Sequence, residues 1–259
     1  MNSIENQLRE LDRLQNLQQR SHWMNRLHPL GKLLVCVFYI VTVASFHKYA
    51  LSQLILMAVY PVFGFIVGEL SLKEGLYRMR LILPLVVFVG IFNPFLDRNV
   101  LQYSFGIPIT GGMVSMVTLM LKGFYSVLAA YILIATTSID EICYALRLIH
   151  VPRVMVIVIM LIYRYFGLMG NEANRIATAY KLRAPSQNGI HYKAWGTLVG
   201  QWLLRSIDRA EMVYESMLLR GFKGDYVIPR RKVKPVSMIY PIAWILIFIV
   251  IRSGLINIF

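Results

Sequence analysis

The chain has 259 residues, 57% of them hydrophobic and only 15% charged, with 27 Lys and Arg against 13 Asp and Glu for a net charge of +14. Soluble domains carry about 25% charged residues, which argues against an ordinary soluble enzyme. Six charge-free stretches, 33–47, 49–68, 81–96, 99–121, 123–139 and 235–251, approach the roughly 17–25 residues that cross a bilayer, so the expectation is an all-α integral membrane protein.

The first thirty residues are polar, with Arg9, Arg13, Arg20 and Arg26, and Ile4, Leu8, Leu11 and Leu14 mark a short amphipathic helix. The pattern of a cleaved signal peptide is missing, so this start is expected to be retained. A first span is placed at 31–47, a tight loop at His47-Lys48, and a second span at 49–68. A polar patch with Lys73, Arg78 and Arg80 precedes a third span at 81–96. Residues 99–112 contain Gly106, Pro108, Gly111 and Gly112 and suit a loop or re-entrant element. A fourth span is expected at 113–135 and a fifth at 236–255, after the basic cluster Arg230–Pro235. The chain thus divides into an N-terminal segment with four spans (1–135), a charged block of amphipathic helices (136–235) and a last span (236–259).

Basic residues fix the orientation of such a protein. Residues 1–32 carry five Lys and Arg, 69–80 carry three and 136–235 carry fifteen, while the intervening loops carry only Lys48 and Arg98. Five spans then leave the N-terminus in the cytoplasm and the C-terminus outside. The +14 marks a membrane side and a protein-docking surface rather than an affinity for nucleic acid.

Three helices are expected between Thr136 and Pro235. The first starts at Thr137–Glu141, with Ser138 three positions before Glu141 as in a capping box, and stops at Pro152. The second runs from Arg153 to Arg183, apolar at first and charged later, partly in the membrane and partly in the cytoplasm. The third runs from about Ala194 to Leu219, with Val199, Trp202, Ser206, Ala210, Val213 and Met217 along one face. Both long helices end on an arginine, in Lys181-Leu182-Arg183-Ala184-Pro185 and Leu218-Leu219-Arg220-Gly221-Phe222. The plain explanation is a cation at the carbonyl end of a helix, worth about 0.3–1 kcal/mol. The functional one rests on repetition: two long helices each offer an Arg, whose planar fork binds a carboxylate at two points, to an acidic groove on another protein.

Several short motifs resemble one family. They are Pro29-Leu30-Gly31-Lys32, Ile109-Thr110-Gly111-Gly112, Thr136-Thr137, Ala145–Pro152, Tyr163-Arg164-Tyr165, Glu172-Ala173-Asn174-Arg175, and the triplets Leu182-Arg183-Ala184 and Leu219-Arg220-Gly221. Over about residues 20–255 the chain resembles the transmembrane coupling subunit, or T component, of energy-coupling-factor importers, closest to the cobalt/nickel permease branch. The resemblance implies a cell-membrane (inner membrane) subunit that joins a membrane-embedded substrate-binding subunit to two ABC-type ATPases, with a small accessory membrane subunit in some assemblies. It implies docking of the ATPases on Arg183 and Arg220, flanked by Leu182, Ala184, Leu219 and Gly221. ATP and Mg would be bound by those partners, with no cofactor in this chain. Both triplets begin with Leu where the family often has Ala, and the first ends in Ala where Gly is commoner. Cobalt or nickel is the cargo that the branch implies, with a vitamin as the other possibility.

No Gly-rich loop followed by Lys-Ser or Lys-Thr is present, so ATP hydrolysis by a phosphate loop in this chain is not expected. Cys36 and Cys143 read as buried thiols, the five histidines show no metal-ligand spacing, and Met155, Met160 and Met169 read as adaptable packing. Lys122 interrupts an apolar stretch, where it serves either helix pairing or substrate movement and partner grip. Arg164 between Tyr163 and Tyr165 suits a membrane boundary. Glu172 and Arg175, three apart, suit a surface pair worth about 0.2–0.5 kcal/mol. The rival reading is a self-contained secondary transporter or channel, which inverted repeats and mid-membrane charges would favour. A membrane-anchored scaffold, which would leave a partner's ATPase rate unaltered, and a membrane enzyme are weaker alternatives.

Overall fold

The computed structural model describes residues 18, 24–93, 100–104, 107–185, 189–224 and 239–253. The expected amphipathic helix at Ile4–Leu14 and the basic cluster Arg230–Pro235 lie outside them. Two compact units are formed, one from residues 16–138 and 231–259, the other from residues 1–15 and 139–230.

In the first unit, α1 (Pro29–Ser45) starts on Pro29, whose missing N–H costs nothing at the first helical position. His28 caps it, its Nδ1 accepting from the Leu30 N–H at 3.1 Å. The expected second span is two helices, α2 (Leu51–Leu56) and α3 (Val59–Val67). Pro61 accounts for the break, since it has no N–H to give the carbonyl of Met57 four residues earlier. The buried hydroxyl of Tyr39 on α1 donates to that carbonyl instead, at 2.9 Å.

The third expected span corresponds to α4 (Leu72–Ile91), which starts nine residues before the expected 81 and includes Pro84. Between it and the next helix, the segment read as a loop or re-entrant element contains an antiparallel pair, β1 (Val100–Ser104) with β2 (Ile107–Thr110), so the described residues are mostly helical with one small two-stranded sheet. The strand formers Val100, Tyr103, Ile107 and Ile109 outweigh Pro108 there. Helix α5 (Gly111–Thr136) follows. The last described helix is α9 (Ile239–Arg252).

Helices α1 and α5 run antiparallel, because Cys36 lies against Ala129 while Lys48, just past the end of α1, lies against Thr118. Around them an aromatic cluster joins Tyr39, Tyr60, Trp244 and Phe248, with ring centroids 4.6 Å apart for Tyr39–Tyr60 and 5.1 Å for Tyr60–Trp244. Such pairs add about 0.5–1.5 kcal/mol each beyond their buried area. Gly31 admits Pro241 of α9, and Gly64 admits Ile132 of α5.

Two helices among the described residues are both long and apolar enough to cross a bilayer: Gly111–Thr136 and Arg153–Arg183. The expectation of five such helices needs correction on that measure. Helices α1 and α9 and the α2–α3 stretch are shorter, and α4 begins with the charged Lys73, Glu74, Arg78 and Arg80. Conversely, the Arg153–Arg183 helix, expected to lie only partly in the membrane, qualifies by length and composition.

The second unit contains α6 (Ile139–Leu148), α7 (Arg153–Arg183) and α8 (Tyr192–Leu219). Buried Cys143 of α6 packs with Val156 of α7. Burial, then the charge of Asp140, pushes the Cys143 thiol up. Helix α6 closes on His150 in the left-handed region, φ 65°. The Val151 N–H bonds to the Leu146 carbonyl and the His150 N–H to that of Arg147, each at 3.2 Å, a Schellman end with His where Gly is usual.

Candidate functional site: two crossing helices with arginine ends

After Arg153, helix α7 is apolar to Ile162 and then mostly aromatic and apolar to Met169, with Arg164 as the one charge there, and it carries Glu172, Arg175, Lys181 and Arg183 in its second half. Helix α8 places Trp202, Ser206, Ala210, Val213 and Met217 on the face expected from their spacing, while Val199, expected on the same face, is exposed and lies outside the groove lining. That face and α7 enclose an apolar groove of about 790 Å³, floored on the α7 side by Tyr165, Phe166 and Met169.

The two helices touch where Met169 and Glu172 of α7 meet Trp202, Arg205 and Ser206 of α8. The Trp202 indole N–H donates to the Met169 carbonyl at 3.1 Å, and the Ser206 hydroxyl lies 3.3 Å from the Met169 sulfur. Glu172 accepts a hydrogen bond from the Arg205 guanidinium through Oε1. The pair expected in the sequence, Glu172 with Arg175, is present but long at 3.8 Å, and the Arg175 side chain is 81% exposed. The dominant partner of Glu172 is thus thirty-three residues away, on the other helix.

The arginine ends are built differently. Arg183 is the last residue of α7, and Ala184 caps it with φ −131°. Arg220 sits one position beyond α8, and Gly221 follows with φ +80°. There the Phe222 N–H bonds to the Met217 carbonyl at 3.0 Å and the Gly221 N–H to that of Leu218 at 2.9 Å, a Schellman end that favours Gly. Ala184 has no such requirement, which accounts for Ala in one triplet and Gly in the other. Both arginines are exposed, and neither has an ion-pair partner among the described residues. Beside them Leu182 is 77% and Leu219 90% exposed.

Arg164 is exposed on α7 between two half-buried tyrosines. Lys122 belongs to the other unit. Its ammonium donates to the carbonyls of Phe46 at 2.5 Å and Ala44 at 3.2 Å, capping the end of α1. Among the described residues, no group of three or more His, Cys, Asp and Glu side chains is placed to hold a metal ion.

Two features escape sequence reasoning. Arg205 reads there only as a charge off the apolar face, because no local spacing reveals a partner on another helix. Lys32 reads as part of a motif, yet it is buried and donates to the carbonyl of Thr136, in a second motif, at 2.7 Å.

Residues 20–235 match the family described as CbiQ, cobalt transport protein. The chain belongs to the CbiQ family. This CbiQ-family chain is 26% identical over 233 residues to the uncharacterised protein MJ1571 of Methanocaldococcus jannaschii, an alignment covering 85% of this chain and 77% of that one. It is also 26% identical over 145 residues to the uncharacterised protein MJ1089 of the same organism, covering 55% and 54%. CbiQ proteins are the T components of cobalt and nickel energy-coupling-factor transporters, and they work with ATPase and substrate-binding subunits. The chain is accordingly a membrane transport subunit without catalytic chemistry of its own, with a coupling role in cobalt transport.

Proposed function

We propose that this chain transmits the motion of two cytoplasmic ABC-type ATPases to a membrane-embedded substrate-binding subunit that imports cobalt or nickel. The observation that carries this reading is the pair of long helices, each ending in an exposed Arg flanked by an exposed Leu. An apolar side chain beside a guanidinium suits a partner groove that is greasy at its wall and acidic at its base. ATP and Mg belong to the partners. Nucleotide-driven closure of the ATPases would move the helix ends, and the helices would carry that displacement on as rigid elements.

The proposed placement has five crossings, made by α1, α2 with α3, α4, α5 and the segment around α9, with the apolar first half of α7 also embedded, the N-terminus cytoplasmic and the C-terminus outside. Fifteen Lys and Arg in 136–235 support the side assigned to α6–α8. Mild-detergent purification of the tagged chain tests the assembly. Two ATPase copies and a separate small membrane protein should co-purify, and a chain that transports metal in liposomes alone would contradict the reading.

A further inference from the structure

Three polar side-chain contacts between α7 and α8 lie within about one turn of each helix, while a further one, from the His191 N–H at the start of α8 to the Tyr180 hydroxyl of α7 at 3.3 Å, ties the turn between them. Trp202 reaches the Met169 carbonyl, Ser206 the Met169 sulfur, and Arg205 the Glu172 carboxylate. Gly170, which has no side chain, and Ala173, which has only a methyl, line the groove on α7 beside that site. Together the three contacts define one register. Sliding either helix by one residue shifts it about 1.5 Å and turns it about 100°, which breaks all three at once.

Energy does not explain the arrangement. A half-exposed ion pair and neutral hydrogen bonds add little net stability. Geometry matters more, because the arms beyond the crossing are long. Glu172 to Arg183 spans about 17 Å of helix and Arg205 to Arg220 about 23 Å. A swing of about 10° at the crossing therefore displaces either arginine by about 3–4 Å, more than the about 2.7–2.9 Å length of a charge-assisted hydrogen bond.

We propose that Trp202, Arg205 and Glu172 are positioning residues that pin the crossing of α7 and α8, so that the arginine ends move as one lever. The proposal rests on the coupling reading above and deepens it. A loose crossing would let the ATPases move the helix tips without moving what lies beyond them.

Two readouts test it. Spin labels on Leu182→Cys and Leu219→Cys report the tip-to-tip distance in the full chain in lipid nanodiscs, since native Cys36 and Cys143 are buried. The distance distribution should be narrow with the native crossing and at least twofold broader in Trp202→Phe/Arg205→Ala. The exchanged pair Glu172→Arg/Arg205→Glu should narrow it again. In the assembled transporter the first variant should retain its ATPases while metal uptake per ATP hydrolysed falls about tenfold. If that variant does not insert, Trp202→Phe alone, which retains an aromatic ring but not the indole N–H, takes its place. An unchanged width, or a broader one with unchanged uptake per ATP, overturns the pin. Failure of the native chain to retain ATPases would instead overturn the coupling reading, and the distance measurement, needing no partner, would still decide the pin.

Discussion

The ammonium of Lys32, in the first turn of α1, donates to the carbonyl of Thr136, the last residue of α5, at 2.7 Å. The reverse contact lies at the other end of the same antiparallel pair, where Lys122 of α5 donates to Phe46 and Ala44 at the end of α1. Each helix therefore supplies a lysine to the carbonyl end of its neighbour. Orphan carbonyls at helix ends need donors, and in an apolar environment no water replaces them.

If Lys122 is a cap, Lys122→Met leaves the two carbonyls without their donor and should lower stability by about 1–3 kcal/mol. Thermal unfolding in detergent measures that loss. Metal uptake per correctly inserted molecule should remain near the native value. Lost uptake with an unchanged unfolding midpoint would assign Lys122 to substrate movement instead.

Protonation state matters at His28. Its Nδ1 must be unprotonated to accept from the Leu30 N–H. Burial, and then the positive charge of Lys32, hold its pKa below the ordinary value of 6.5. The unfolded chain thus binds the proton more readily, so this contribution is complete above pH 6.5 and declines as pH falls from there through the lower folded-state pKa. His28→Asn retains a capping oxygen without titrating. The variant should lose the part of the pH dependence of unfolding that lies below 6.5, and an unchanged profile would remove His28 as its source.

Two glycine replacements should act in opposite directions. A Cβ on Gly64 would lie 2.6 Å from Cδ1 of Ile132, a side chain buried in the core. Gly64→Ala should therefore cost about 1–3 kcal/mol by overpacking. A Cβ on Gly196 of α8 would have nothing within 4 Å. Gly196→Ala should stabilise the helix by about 0.5–1 kcal/mol. Paired unfolding curves in one detergent check both signs.

Much of the helical plan was legible in the sequence because it depends on local chemistry. Pro152 and the Arg183–Pro185 turn bound α7, and the step from Trp202 to Met217 marks the groove face of α8. The break at Met57–Ala58 was legible in principle from Pro61 but was obscured by an unbroken apolar run. The strand pair within Val100–Thr110 was hidden because Gly106 and Pro108 mimic an irregular loop. Contacts between distant residues left no local trace. Glu172 pointed to Arg175 by spacing, yet three-dimensional packing brings Arg205 closer.

The central claim is that Arg183 and Arg220 are the ATPase-docking ends. The most direct measurement is ATPase retention and metal uptake by the purified Arg183→Glu/Arg220→Glu chain, reconstituted with its partners. The account predicts normal membrane insertion and retention of the substrate-binding subunit, with ATPase association reduced at least about tenfold and uptake lost. That size follows from replacing charge-assisted pairs, each worth about 1.5–3 kcal/mol, by like-charge contacts. Unchanged ATPase retention and uptake would contradict it.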